Sequence, residues 1–334
     1  MTHADGRQGA PDTARTDGSA PARPPADRRR AALGAAVVVV VVAAASVAIY
    51  RQRHAFAGAL AHIGVWPILA SLAVGALGTA LTFPVWKAVL HGLGVALPWG
   101  VGARVFFTSQ LGKYLPGSVW PVLIQMEAGR SRGASRRTML AGNLITIVLS
   151  CAVGLILAGV LLPVSDAHAL ARYWWLLVAL PFLLALLHPR AVPMVLDRVF
   201  AILRRERLDQ RLAVRDSAKA SAWSAVSFVG QGLHVAILAL AIGGHGVDTV
   251  VLCIGGMALA VSAGVLFIPA PAGAGVRDVV LSLVLRSVLT SPQALAVVVT
   301  SRVLLIMADL LLAALALAAP GRKLRSPDGS RLAS

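Results

Sequence analysis

From Thr138 to Ser165 the chain carries no Asp, Glu, Lys or Arg. That run exceeds the roughly 20 apolar residues a helix needs to cross about 30 Å of hydrocarbon. Other long apolar stretches are Ala31 to Tyr50, Trp66 to Leu90 with Lys87 near its end, Tyr173 to Leu187, Ala220 to Val247, Thr249 to Val276 with a break near Pro269 to Gly273, and Ala294 to Ala319 with Arg302 and Asp309 inside it; a shorter one, Val279 to Leu289, holds Arg286. Backbone groups in lipid must be satisfied within the protein, which leaves helices and closed barrels. These runs are too long for barrel strands and show no two-residue alternation. The expected fold is therefore all-α, a polytopic membrane helix bundle of about eight segments. Whether Val279 to Leu289 crosses fully is left open. Composition agrees, because 57% hydrophobic against 13% charged residues cannot coat a soluble surface that ordinarily needs about 25% charge.

The termini divide off from this apolar body. Residues 1–30 form a basic tail expected to be disordered, residues 31–320 the membrane domain, and residues 321–334 a second short basic tail. Ala31 to Tyr50 is read as an uncleaved first helix, because both it and the polar stretch before it are long for a signal peptide.

The net charge of +17 suggests nucleic acid only if the chain is soluble. With the N-terminus in the cytoplasm and eight crossings, 26 of the 31 Lys and Arg fall on the cytoplasmic side and 4 on the outer side, with Arg302 inside the last helix. That asymmetry predicts both termini in the cytoplasm of a multi-pass plasma-membrane protein and accounts for the charge without nucleic acid. Cys151 and Cys253 lie in apolar runs and form neither a disulfide framework nor a metal cluster. No metal, cofactor or catalytic set is expected, and the outer loops are too short to hold an enzymatic domain.

Charges within spans are costly and face protein or water. Arg302 and Asp309 lie about two turns apart on one face of the last helix, each within roughly 6 Å of its centre. They are either a packing ion pair with a neighbouring helix or the wall of a polar cavity. Gln231 and His234 share a face of the fifth helix, where a buried imidazole satisfied by a neighbour is expected. Asn143 and Thr146 are expected to bond between helices.

Two Pro/Gly-rich interruptions stand out. The first, Lys113-Tyr114-Leu115-Pro116-Gly117, ends a semi-apolar helix; a second helix then carries Glu127 before a basic run. Both flanks belong to the cytoplasmic side. The element is thus a re-entrant hairpin, or else an amphipathic interfacial helix and a loop. The second, Pro269-Ala270-Pro271-Ala272-Gly273-Ala274-Gly275, precedes a helix opened by Arg277 and Asp278. Free N–H groups at that helix start suit a phosphate or carboxylate, although Arg277 and Asp278 also read as a surface pair.

Gly112-Lys113-Tyr114-Leu115-Pro116-Gly117 resembles the GKYLPG element of the lysylphosphatidylglycerol synthase transmembrane, or flippase-like, family. Pro269 to Asp278 is similar to its P-x-P-G-G-x-G-V-x-E element. Ala272 replaces a glycine of that pattern, and Asp278 replaces a glutamate, keeping the carboxylate but shortening it. The resemblance spans roughly Arg30 to Ala319. It implies lipid handling. Larger members append a cytoplasmic aminoacyltransferase domain, and only Gly321 to Ser334 follows here, so no aminoacylation is expected.

Together these readings predict a flippase for phospholipid or polyprenyl lipid. Lys113, Tyr114, Glu127, Arg277, Asp278, Arg302 and Asp309 would line a central polar site for an anionic headgroup. Pro116, Gly117, Pro269, Pro271, Gly273 and Gly275 would supply the breaks. The partners are membrane lipids. The alternative is a non-transporting subunit that docks a cytoplasmic lipid-modifying enzyme through the basic loop Arg190 to Lys219.

Overall fold

The computed structural model of the protein describes residues 63–114, 120–130, 134–165, 169–188, 212–267 and 275–319, with Val47, Tyr50, Ala191 and Met194. All lie in one contact unit, Val41–Ser334. The first expected segment, residues 31–50, falls almost entirely outside them, as do Pro116, Gly117, Pro269, Pro271 and Gly273 and most of the basic loop after Arg190.

Every regular element among the described residues is helical. Helices α1 (Val65–Ala80) and α2 (Thr82–Gly92) run on as one 28-residue apolar span. Helix α3 (Trp99–Gln110), a single 3-10 turn (Leu111–Tyr114) and α4 (Trp120–Arg130) follow, then α5 (Arg136–Ser165) and α6 (Ala169–Leu186). The chain closes with α7 (Val214–Ala241), α8 (Gly246–Leu266), α9 (Val276–Leu285) and α10 (Ser291–Ala318). Five stretches are long and apolar enough to cross a bilayer: α1 with α2, α5, α7, α8 and α10. Large apolar side chains stay exposed along the helices, among them Leu77, Val164, Phe182, Val226, Leu311 and Leu315. In water such a surface would drive association; against acyl chains it is the solvated face.

Several boundaries differ from the sequence reading, for identifiable reasons. The fifth span begins at Val214 rather than Ala220, taking in Arg215, Asp216 and Lys219. Asp216 sits in the first turn, where the helix dipole favours a carboxylate, and it faces His91 Nδ1 at 3.3 Å. The same helix stops at Ala241 rather than Val247, ahead of the Gly243-Gly244 pair. The sixth span, expected to break near Pro269, ends at Leu266. Helix α9 has ten residues and rises about 15 Å, half a hydrocarbon core. Helix α6 exposes Trp174 and Trp175 near its start, and its apolar part is only Trp174–Leu186.

Small residues set the closest crossings. A Cβ on Gly78 would lie 2.7 Å from the backbone nitrogen of Gln231, and one on Gly230 would lie 2.9 Å from the Cα of Gly78. Helices α1 and α7 thus cross backbone to backbone, a packing that lipid-embedded helices obtain from glycine. Ser227 Oγ donates to the Gly78 carbonyl at 2.8 Å across the same contact. Asn143 and Thr146 do not bond between helices as expected. Asn143 donates to Met139 O at 2.8 Å and Thr146 to Gly142 O at 2.7 Å, each one turn back on α5. Such i−4 back-bonding satisfies a polar side chain locally when the facing surface is apolar.

Helices α3 and α4 pack on each other around the 3-10 turn. Gln125 Nε2 donates to the buried Ser109 Oγ at 2.7 Å, tying the two arms together. Gly112 lies so close to the start of α4 that a Cβ would meet that of Trp120 at 2.9 Å. With twelve and eleven residues, each arm rises only about 17 Å.

Candidate functional site

Helix α10 is the hub on which the two broken elements converge. Its 28 residues rise about 42 Å, so a position near residue 305 is its midpoint. Arg302 and Asp309 straddle that midpoint on one face.

From one end comes the α3 arm. Arg104 donates to three carbonyls at the C-terminal end of α10: Ala316 at 3.3 Å, Leu317 at 3.2 Å and Ala319 at 2.7 Å. Those are acceptors a helix end leaves unpaired, and a guanidinium there is also favoured by the dipole. Further along the chain, Lys113 Nζ lies 2.6 Å from Asp309 Oδ2, and Tyr114 Oη donates to the same oxygen at 2.5 Å. The arm therefore runs antiparallel to α10 and reaches about 14 Å inward from its end. The Asp309 side chain is 4% exposed and that of Lys113 is 30% exposed. The carboxylate is fixed in the packed bundle, while the ammonium is carried by a short turn at its edge.

From the other end comes α9. Its first residue is preceded by Gly275 at φ +87°, a left-handed conformation that glycine adopts without a Cβ clash. Gly275 N–H donates to Asp278 Oδ2 at 3.2 Å, so Asp278 closes the helix start. The same oxygen lies 2.6 Å from Arg302 Nη1. Arg277, beside it, turns toward α8, where Nη2 contacts Met257 Sδ at 3.7 Å. It lies within electrostatic reach of Asp278, Arg302, Tyr114 and Asp309.

The third feature is a polar chain behind α10. His234 on α7 is fully buried; its Nδ1 lies 2.9 Å from Ser71 Oγ on α1 and its Nε2 2.8 Å from Ser301 Oγ on α10. Ser71 Oγ also donates to the His234 carbonyl at 2.9 Å. With that proton committed, Ser71 Oγ must accept from Nδ1–H, while Nε2 and the Ser301 hydroxyl share the second bond. The geometry thus assigns a proton to Nδ1. Ser301 adjoins Arg302, so this chain pins the rotation of α10 from a face next to the one that carries the charges. The sequence offered His234 as a satisfied buried imidazole; it offered no signal that its partners would be Ser71 and Ser301.

Of the residues proposed from sequence, Lys113, Tyr114, Arg277, Asp278, Arg302 and Asp309 meet around α10, with Gly275 at the edge. Glu127 does not join them. It lies exposed on α4, with Arg136 at 2.8 Å and Arg130 at 4.0 Å. Arg302 and Asp309 do not pair with each other; each is paired by a different broken element. Among the described residues no group of His, Cys, Asp or Glu could hold a metal ion.

Apolar spans with exposed aliphatic faces, and charges held between helices, define a multi-pass membrane protein with an internal polar site. The family model described as the lysylphosphatidylglycerol synthase TM region matches residues 31–313, and the chain belongs to that family. No curated protein matches the chain.

Proposed function

We propose that this protein moves lipids between bilayer leaflets, using the residues around Arg302 and Asp309 to receive an anionic headgroup while the acyl chains stay in the bilayer. The observation that carries this reading is the meeting of three distant stretches, Lys113-Tyr114, Arg277-Asp278 and Arg302 with Asp309, midway along one membrane-length helix. Charged groups at such a depth mark a path for polar cargo. On this reading the α3–α4 hairpin and α9 are re-entrant elements entering from opposite faces. Each is half a bilayer long, and irregular backbone at such a depth is tolerated where it lines a polar cavity. Broken helices of this kind place substrate sites near the midplane of transporters.

In the resting arrangement Lys113 is paired with Asp309, and Arg302 with Asp278. A phosphate entering beside these pairs meets cations at the depth its headgroup must cross. The cargo is a phospholipid or polyprenyl lipid, the mechanism is binding and rearrangement rather than bond making, and the setting is the plasma membrane with both termini cytoplasmic.

The test is a leaflet-distribution assay with purified protein in vesicles carrying head-labelled anionic lipids. Movement faster than in protein-free vesicles, lost in an Arg302→Gln variant that still folds, supports the reading. Equal rates with and without protein, across the anionic lipids tried, refute it.

A further inference from the structure

The charges around α10 do not cancel. Lys113, Arg277 and Arg302 supply three cations, and Asp278 and Asp309 supply two carboxylates. Each carboxylate is engaged at 2.6 Å by one cation, Asp309 by Lys113 and Asp278 by Arg302. Arg277 is the remainder. Among the described residues no carboxylate lies within 4.0 Å of it, and its polar contact is a thioether at 3.7 Å. Sulfur is a weak acceptor, and a guanidinium carries five N–H donors.

Among the described residues nothing nearby supplies the missing negative charge. Tyr114 is a neutral donor to Asp309. His234, within electrostatic reach of Arg277, supplies no negative charge in either protonation state. The stretches that follow Tyr114 and precede Gly275 in the sequence, residues 115–119 and 268–274, contain no ionisable side chain. The start of α9 adds a further positive partial charge.

Resting on the lipid-transport reading above, we infer that the site selects a headgroup with a single net negative charge, a phosphodiester. The reason is neutrality in low dielectric. One phosphodiester beside Arg277 brings the five side chains and the cargo to zero. A phosphomonoester near its dianionic form, or a polyprenyl diphosphate, overshoots. A zwitterion leaves the excess charge of Arg277 uncompensated. The planar guanidinium fork also matches two oxygens of one phosphate. Arg277 is thus the specificity-determining residue. Lys113 and Arg302 hold the carboxylates that keep the empty site close to neutral.

The experiment measures both retention and transport with the full chain in bilayers containing phosphatidylglycerol, phosphatidic acid, phosphatidylcholine or a polyprenyl diphosphate. Retention of phosphatidylglycerol should exceed that of the others by about tenfold, the size of one modest charge interaction in a partly screened site. Arg277→Gln removes the excess charge and should abolish the preference. Arg277→Lys should keep it. Asp309→Asn adds one positive charge and should shift the ranking toward phosphatidic acid. Soluble dimethyl phosphate, a diester without chains, should compete poorly; if it binds as well as the lipid does, a lipid source is refuted. Equal retention of all four lipids by the unaltered protein overturns the inference, as does an unchanged ranking in Arg277→Gln. Should the variants fail to fold, the ranking by the unaltered protein decides alone. Charge-ranked retention without transport would remove the transport reading and leave this one standing. Transport of every lipid alike would do the reverse.

Discussion

Arg302 Nη1 and Asp278 Oδ2 meet at 2.6 Å, joining the middle of the longest C-terminal span to the first turn of a helix only ten residues long. Neither residue is well placed in a membrane without the other. Asp278 sits where a helix start favours a carboxylate, and it offers that carboxylate at the depth where Arg302 needs one. On the opposite side of the α10 midpoint, Asp309 receives Lys113 and Tyr114 from the hairpin turn.

Removing one member of the second pair should cost more than removing both. Asp309→Ala leaves the Lys113 ammonium without its partner in a largely buried setting, for a loss of about 3 kcal/mol. Asp309→Asn keeps an acceptor for Tyr114 and should lose less. Lys113→Ala with Asp309→Ala together should recover part of the loss. Thermal unfolding in detergent, arranged as a double-mutant cycle, reads the coupling; strictly additive losses would show that the pair contributes nothing.

Arg104→Ala should loosen the end of α10 without touching the central charges. Three carbonyls at 2.7–3.3 Å lose their donor, and partial exposure limits the loss to about 1 kcal/mol. Faster amide exchange confined to residues 312–319 is the expected signature. Exchange unchanged there would mean that water replaces the guanidinium at no cost.

His234→Ala should be among the most damaging single changes outside the charge cluster. It empties a fully buried site and removes the ring partner of Ser301, leaving Ser71 only its bond to the main-chain carbonyl, for a loss of about 2–4 kcal/mol. His234→Gln retains a donor and an acceptor and should recover part of it. Detergent melting temperatures compare the two.

Gly78→Val puts side-chain atoms where α7 backbone already lies, with the Cβ 2.7 Å from a main-chain nitrogen. Backbone cannot rotate aside, so the helices must separate; a loss of about 2–3 kcal/mol follows. A variant that melts with the unaltered protein would show that this crossing is looser than the structure has it.

The charge asymmetry predicts which side each loop faces. Single cysteines at Arg136 and at Asp248, in a background with Cys151 and Cys253 replaced, should label with an impermeant maleimide from opposite sides of the membrane, Asp248 from outside. Labelling of both from the same side would overturn the topology. The two native cysteines are buried, so their own labelling should be slow.

Much of this protein was legible along the chain because lipid imposes its demands segment by segment. Uninterrupted apolar runs such as Thr138 to Ser165 announce helices. Arg302 and Asp309 announce an interior polar face, since a charge amid hydrocarbon is stable only against protein or water. Tertiary structure decided the partners. The sequence could not say that Arg302 would choose Asp278 while Asp309 took Lys113 and Tyr114, that Glu127 would stay on the surface with Arg136, or that Ser71 and Ser301 would bracket His234. Pairings across helices depend on rotation, tilt and depth, which are set by close contacts such as Gly78 against Gly230. A linear pattern records which residues need a partner and leaves to packing the choice of which partner arrives.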